Sequence, residues 1–531
     1  MPTTAMRSRA LLTLSAVSVT GVLAAGLTTP TTASPGDRHR DLVLTPRGTY
    51  ETGTFDESAS EIVGYDKRSS RAFMVNAQAG TVDVLDVSNV RAPDKIGQLT
   101  TPGANSVAVK DGLVAVAAQA ETATDRGHVL FFDASTLAPR GRVRVGALPD
   151  MVTFTPDGKT ILVANEGEPS GYEADDVDPA GSVSVVTLGR GPGPRIVRTA
   201  SFEKYDGRER ALRRAGIRIF GPDASASQDL EPEYIAVDSN GEKAFVTLQE
   251  NNALAIIDID NASVTGLKSL GTKDHRRARN AIDASDEDGA INIAAWPVRG
   301  LYMPDAIDAY RARGRTYLVT ANEGDAREYD GFAEEARVNE LTLDPAAFPD
   351  AAALQEDEAL GRLNVTTTSP QGPDGYTELH SFGARSATIR DSRGSLVWDS
   401  GDMFEQLVAS ETPEMFNFDN TENDTFDNRS DNKGPEPEGL DLGEIRGRTY
   451  AFVGFERVSG IAAVDVTNPR AGRLAGYGTN RDPNGDPAAG TAGDLGPEGI
   501  LFVGAQDSPT GRPILLVGNE VSGTTTIWSI R

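Results

Sequence analysis

Cysteine is absent from all 531 residues, so no disulfide, thiolate metal site or cysteine nucleophile exists in this chain. Histidine is nearly absent. His39, His128, His275 and His380 are the four present, and no two share the spacing of a zinc site. Any metal must therefore be held mainly by oxygen, which favours Ca²⁺ or Mg²⁺ over zinc or copper. Cations are outnumbered, 51 Lys and Arg against 78 Asp and Glu, for a net charge of −27. That balance argues against nucleic acid or an anionic membrane as partner, because both need clustered cations. Also missing are a Gly-x-Ser-x-Gly elbow, a Walker loop and a dinucleotide-binding fingerprint. A long apolar run occurs only once, from Ala10 to about Leu27, behind Arg7 and Arg9 and ahead of Thr31-Thr32-Ala33. It reads as a secretory signal over 1–33, followed by a linker over 34–44 and a mature domain over 45–531. The protein is expected to be secreted and, once cleaved, free of the membrane.

What is present is a repeat. Pro-Asp or Pro-Glu opens a short apolar strand at Pro149-Asp150, Pro232-Glu233, Pro304-Asp305, Pro437-Glu438 and Pro497-Glu498. A second strand ends in Asn-Glu at Asn165-Glu166, Asn322-Glu323 and Asn519-Glu520. Turns such as Asp157-Gly158 and Asn240-Gly241 join the two, and alternating segments such as Ala253–Asp258 follow. Strand, hairpin, strand, loop, strand around a circle is a propeller blade. The expected fold is all-β, a seven-bladed β-propeller with blades starting near Glu61, Asn105, Asp150, Glu233, Asp305, Glu438 and Glu498. The segment 41–52 supplies the missing fourth strand of the last blade. Long insertions (188–230, 260–301, 324–378, 401–435 and 470–494) emerge on one face, which marks that face as the working one.

Propeller geometry sets each first strand against the central channel, so the residues that open those strands form a ring. The ends of the second strands lie beside them and add Gln78, Gln119, Glu166, Glu250, Glu323, Glu456 and Glu520. So many like charges require either raised pKa values or a bound cation. The candidate metal ligands are Glu61, Asp150, Glu166, Glu233, Glu250, Asp305, Glu323, Glu438, Glu456, Glu498 and Glu520, with Ca²⁺ expected and Mg²⁺ an alternative. The competing reading is that these side chains cap backbone amides and hold the ring together.

The runs Asn76–Val82, Gln228–Tyr234, Ala321–Tyr329 and Lys433–Gly439 resemble the choice-of-anchor I family over about 45–531. The resemblance implies an extracellular propeller-like protein, often with a C-terminal surface anchor. It also implies two unlike roles, since some relatives carry alkaline phosphatase labels and another is a surface glycoprotein.

Cations share the working-face loops: Lys273, His275, Arg327, Arg385, Arg429, Lys433 and Arg457. Arg327, Arg429 and Lys433 are the candidates for holding a substrate phosphate, against the plainer reading that they neutralise the acidic rings. A Ser-His-Asp hydrolase would have to use His128, His275 or His380, and only His275 is read into a working-face loop. A metal-assisted mechanism is the better enzyme hypothesis. Asp283–Gly289 resembles half a calcium loop without EF-hand register, and the acidic run 417–431 reads as a solvated loop. The leading expectation is a secreted Ca²⁺-binding propeller with phosphomonoesterase or phytase-like activity on a small phosphorylated substrate. The rival is a surface or matrix protein that binds an extracellular ligand and uses metal structurally. A metal-dependent lactonase stands third.

Overall fold

Tight turns and buried apolar runs decide the local structure. In the computed structural model, which describes residues 42–189 and 195–531, Arg313 and Gly314 take positive φ angles of 51° and 77°. They join Ile307–Ala312 to Arg315–Asn322 as a two-residue hairpin. Such a turn twists in the sense that paired strands require, and glycine enters it without steric cost. The strand after the turn reads as a continuous apolar run, as in Ile161-Leu162-Val163-Ala164 and Ile514-Leu515-Leu516-Val517. All eight residues are buried, because sheets stack against both faces of these strands. Outer strands meet water instead, and Pro139–Ala147 exposes Arg140, Arg142 and Arg144.

Seven four-stranded antiparallel sheets are built this way. Their first strands are Val63–Asp66, Ala104–Lys110, Pro149–Phe154, Ile235–Val237, Ile307–Ala312, Pro437–Ile445 and Pro497–Val503. These touch one another in that cyclic order, and the last returns to the first. The fold is a β-propeller. The outer strand of the last sheet comes from the other end of the chain. Leu44–Glu51 pairs antiparallel with Thr524–Ile530, from Leu44 opposite Ile530 to Glu51 opposite Thr524. This closure leaves no open sheet edge where the ring meets itself.

The insertions do not remain separate loops. Thr272–Asp274 and Arg299–Leu301 precede the fifth sheet, whereas Glu335–Arg337, Asn364–Thr366 and His380–Ser381 interrupt it. Together they form one five-stranded sheet. Ile282, Val298, Phe348, Leu360 and Val365 give this accessory layer its own apolar core. His380, read from the sequence as outside the working-face loops, is a strand residue of that layer. The run 417–431 is not a solvated loop either, since Asn417, Asn420, Asp427, Ser430 and Asp431 are buried. The signal read over 1–33 and the linker up to residue 41 lie outside the described residues.

Trp528 faces Pro46 across the closing pair and packs with Leu42, Leu44, Phe452 and Ile461. Trp528→Ala should lower unfolding stability by about 3–5 kcal/mol in chemical denaturation, the usual cost of emptying a core site of that size. An unchanged midpoint would mean that the closing strand carries little of the stability.

Candidate metal centre at the channel mouth

A small local rule places the acids. Glu166, Glu456 and Glu520 each stand one residue past the second strand of their sheet. Their backbone N–H groups donate to the carbonyls of Leu148, Glu436 and Gly496, just ahead of the first strand. Each acid is thereby fixed beside the start of its sheet's first strand. The preceding asparagine does different work. Asn165, Asn322 and Asn519 are buried and donate from Nδ2 to the carbonyls of Ser182, Ser386 and Thr524 at 3.1, 2.7 and 3.2 Å. Each clamps the start of the third strand. At the other acid positions the first strand is irregular: register shifts fall between Pro149 and Val152, Pro437 and Leu440, and Pro497 and Ile500. Such bulges re-aim a side chain, and Asp150, Glu438 and Glu498 sit inside them.

The result is a cavity of about 310 Å³ on the axis. Asp150, Glu233, Asp305, Glu323, Glu438, Glu456 and Glu498 all line it. Ile62, Ser106, Met151 and Tyr234 line both this cavity and a second one of about 500 Å³, so they form the partition between the two.

Three carboxylate triplets stand out, each with one oxygen per residue inside a 4.8 Å sphere of mutual distances: Glu61/Glu498/Glu520, Glu166/Glu233/Glu250 and Glu323/Glu436/Glu456. The third is neutralised from within. Lys433 Nζ lies 2.6 Å from Glu323 Oε1 and 3.1 Å from Glu436 Oε2. Arg429 bonds Glu436 at 2.7 Å, and Arg457 bonds both Glu436 and Glu456 at 3.1 Å. Burial pushes Glu436 upward, but the charges of Lys433, Arg457 and Arg429 outweigh it and hold the carboxyl well below the usual range. The other two triplets have no such cover. Glu233 Oε2, Glu250 Oε2, Glu498 Oε2 and the neighbouring Glu438 Oε2 are buried with no hydrogen-bond partner.

The electrostatic consequence is uniform. Burial raises Glu61 to about 8 against an opposing bond from Ser58, with lesser help from the charges of Glu520 and Asp150. Burial and Glu168 raise Asp150 to about 7. Burial is also the leading cause for Glu166, Glu233, Asp305, Glu438 and Glu498, which neighbouring carboxylates push well above the ordinary range. Such groups must take up protons or share a cation. An oxygen-only set of this kind fits a hard divalent ion, and Ca²⁺ takes six to eight oxygens in flexible geometry.

The predicted cations fall differently. Lys433 lines the cavity, as does Arg457. Arg327 does not: its side chain is 1% exposed, pairs with Asp229 and Glu231, and stacks over Phe220 at 4.5 Å. It cannot reach a substrate. Both Arg429 contacts run to Glu436 and fix the third triplet. Lys273 is buried against the carbonyls of Ala384 and Gly401. His275 accepts no role at the channel either, because its Nδ1 is taken by the Asn280 carbonyl at 2.6 Å. Burial and Lys273 hold its pKa down near 3. Gln78 is also misplaced by the sequence reading, since it lies exposed in the turn after Arg71–Asn76. Glu436 and Asp325 were missed. The pairs Glu166-Gly167-Glu168 and Glu323-Gly324-Asp325 repeat one pattern, with Gly167 and Gly324 at φ 72° and 96°, and that repeat was the available signal.

A family model described as the choice-of-anchor I domain matches residues 61–469. The mesenchyme-specific cell surface glycoprotein of Strongylocentrotus purpuratus is 32% identical over 45% of this chain and 35% of its own length. The chain thus spans about a third of that relative. Gigasin-3a of Magallana gigas is 31% identical over 34% of this chain and 67% of its own. Among solved structures, the β-propeller domain of Cps50 (Swd1) from Myceliophteria thermophila is similar at TM-score 0.44 and 10% identity, covering 91% of this chain and 99% of its own.

Acids whose folded-state pKa is raised stabilise the fold below their unfolded value, and that contribution is lost as pH climbs through the folded value. With metal chelated, the melting temperature should therefore fall between about pH 5 and about pH 8.5, spanning the Asp150 and Glu61 values. Saturating Ca²⁺ should flatten the fall by replacing the protons. A chelated protein that melts higher at pH 8.5 than at pH 5 contradicts this electrostatic account.

Proposed function

The chain belongs to the choice-of-anchor I domain family, and from that premise we propose that it is an extracellular, cell-surface-type propeller whose channel mouth binds Ca²⁺. One observation carries the reading: the four buried, partnerless carboxylate oxygens on Glu233, Glu250, Glu438 and Glu498. A buried oxygen anion without donor or cation is too costly to persist, and among the described residues no histidine lines the cavity to suggest a softer metal. Glu61, Glu498 and Glu520 would hold one ion, and Glu166, Glu233 and Glu250 another, with Glu438 and Asp305 facing the shared cavity. The outward location is supported by the surface glycoprotein among the relatives and by the net charge of −27.

Phosphoester hydrolysis is a second reading, favoured by Lys433 and Arg457 on the wall of the same cavity. Their N–H groups face a space large enough for a small ligand. A divalent ion bound there would supply Lewis-acid polarisation of a phosphoryl oxygen. Lys433 and Arg457 would orient the anion, at the expense of their bonds to Glu323, Glu436 and Glu456. Those bonds are why the binding role leads.

Elemental analysis of protein purified in Ca²⁺ should find bound metal, and chelation should lower the melting temperature in a way that Ca²⁺ reverses by mass action. Glu498→Gln and Glu233→Gln should each weaken Ca²⁺ binding by about tenfold or more in calorimetry, or roughly 1.4 kcal/mol. Metal-free protein that neither binds Ca²⁺ nor responds to it would end the proposal. For the second reading, Ca²⁺-loaded protein should hydrolyse p-nitrophenyl phosphate, and Lys433→Ala should raise the phosphate inhibition constant roughly ten- to hundredfold. No turnover leaves the binding role standing alone.

A further inference from the structure

Three more partnerless oxygens lie away from the channel, where the 283–292 loop meets the 416–432 segment. Asp283 is fully buried and anchored on every side but one. Its N–H donates to Glu405 Oε2 at 2.9 Å, its carbonyl accepts from Arg385 at 2.6 Å, and its Oδ2 accepts from the Asn292 N–H. Its Oδ1 has no partner. Asn417 is fully buried, donates from Nδ2 to Ser430 Oγ at 2.7 Å, and leaves Oδ1 without a partner. The Ser430 hydroxyl in turn donates to Asp427 Oδ1, and Asp427 Oδ2 is the third partnerless atom.

These residues are gathered around one guanidinium and one hydroxyl. Ser430 touches both Asn417 and Asp427. Arg385 holds the Asp283 carbonyl with one nitrogen and the carbonyls of Ser430 and Asn432 with the other. Arg385 is fully engaged, since its remaining contact is Glu405 at 2.5 Å. The local charge is uncompensated. After burial and an opposing bond from Asn292, Asp427, Glu405 and Asp288 push Asp283 up to about 8. After burial and an opposing bond from Ser430, Asp288 and Glu405 push Asp427 up to about 7. Asp286 is already paired with Arg362 at 2.6 Å and contributes no free oxygen.

We infer that Asp283 Oδ1, Asn417 Oδ1 and Asp427 Oδ2 bind a further cation, a hard divalent ion that fastens the accessory layer to the segment before the sixth sheet. Two carboxylates and an amide oxygen are ligands that Ca²⁺ accepts, with backbone carbonyl and water completing its shell. The site is separate from the channel. None of its three ligands lines the channel cavity or belongs to a carboxylate triplet there. It explains why a segment rich in Asp and Asn folds inward.

Trp296 provides a local probe, because its indole N–H donates to the carbonyl of Ile282, next to Asp283, at 3.2 Å. Tb³⁺ added to the metal-free protein should give tryptophan-sensitised luminescence that Ca²⁺ competes away and that Trp296→Phe removes. Asp427→Asn and Asp283→Asn should each weaken this signal's apparent affinity by about tenfold, whereas Glu498→Gln should leave it unchanged. Hydrogen exchange gives a readout independent of terbium. Ca²⁺ should protect 283–292 and 416–432 in the wild type and in Glu498→Gln, but not in Asp427→Asn. Channel peptides around 514–520 should show the opposite dependence on the two variants. Absence of Ca²⁺-dependent protection in 283–292 and 416–432 of the wild type overturns the inference, even if the channel binds. Protection that survives Asp427→Asn and Asp283→Asn together overturns it as well.

Discussion

When Leu44–Glu51 pairs with Thr524–Ile530 the circle of sheets acquires a fixed circumference, and the first strands can no longer move apart to relieve crowding at the axis. Glycines show how close they come. A Cβ on Gly439 would meet the Glu498 carbonyl oxygen at 2.0 Å, and one on Gly499 would meet that of Glu61 at 2.5 Å. Residues with side chains are excluded there, so the Pro-Glu-Gly sequence at each of these strand starts is a packing requirement as much as a motif. The same closeness carries Glu498 to Glu61 and Glu520. A propeller that opened by even one strand spacing would separate the carboxylates and dissolve the site.

Crowded acids then have to be compensated, and the chain does so in two ways at one mouth. Around Glu323, Glu436 and Glu456 it supplies Lys433 and Arg429 from the insertion before the sixth sheet and Arg457 from the turn after that sheet's second strand. A buried ion pair of this sort gains little net stability over an apolar packing, but it fixes geometry. Behind the second triplet, Arg327 ties Asp229 and Glu231 to the insertion of the fifth sheet. Glu233, Glu250 and Glu498 keep oxygens that no protein group reaches. A ring satisfied internally on one side only would, with an outside ion completing the other, couple the stability of the fold to its surroundings. Protons and a cation bound there would compete for the same oxygens, so that pH and metal supply would act as one variable rather than two.

Much of this was legible in the residues. Alternation and the Asp-Gly and Asn-Gly turns locate the strands, because period and turn chemistry are local properties. A glutamate one residue past the second strand marks the mouth, because the same hydrogen bond from its N–H recurs in the third, sixth and seventh sheets. What the pattern hides is partnership across distant sequence. Arg327 and Asp229 are 98 residues apart, and nothing near either one signals that they meet. The two insertions around the fifth sheet likewise form a common layer through the parallel pairing of Arg299 with His380 and a shared apolar core. Gln78 went astray for a local reason: in the first sheet the chain turns directly after Asn76, so the residue in the place of a glutamate faces water.

The cations illustrate the difference between place and role. Their position near the mouth follows from short tethers, as with Arg429 and Lys433 a few residues ahead of Glu438. Their role follows from the local count of opposite charges, which no single stretch reveals. In a low-dielectric pocket a guanidinium pairs with the nearest carboxylate, and only an excess cation remains for a ligand. Here the excess runs the other way. Arg327, Arg385, Arg429 and Lys433 are all engaged by Asp, Glu or backbone carbonyls, while carboxylate oxygens are left over both at the channel and beside Asp283. The surplus of acid visible in the composition is thus concentrated at particular buried places, where its oxygens are left without a protein partner.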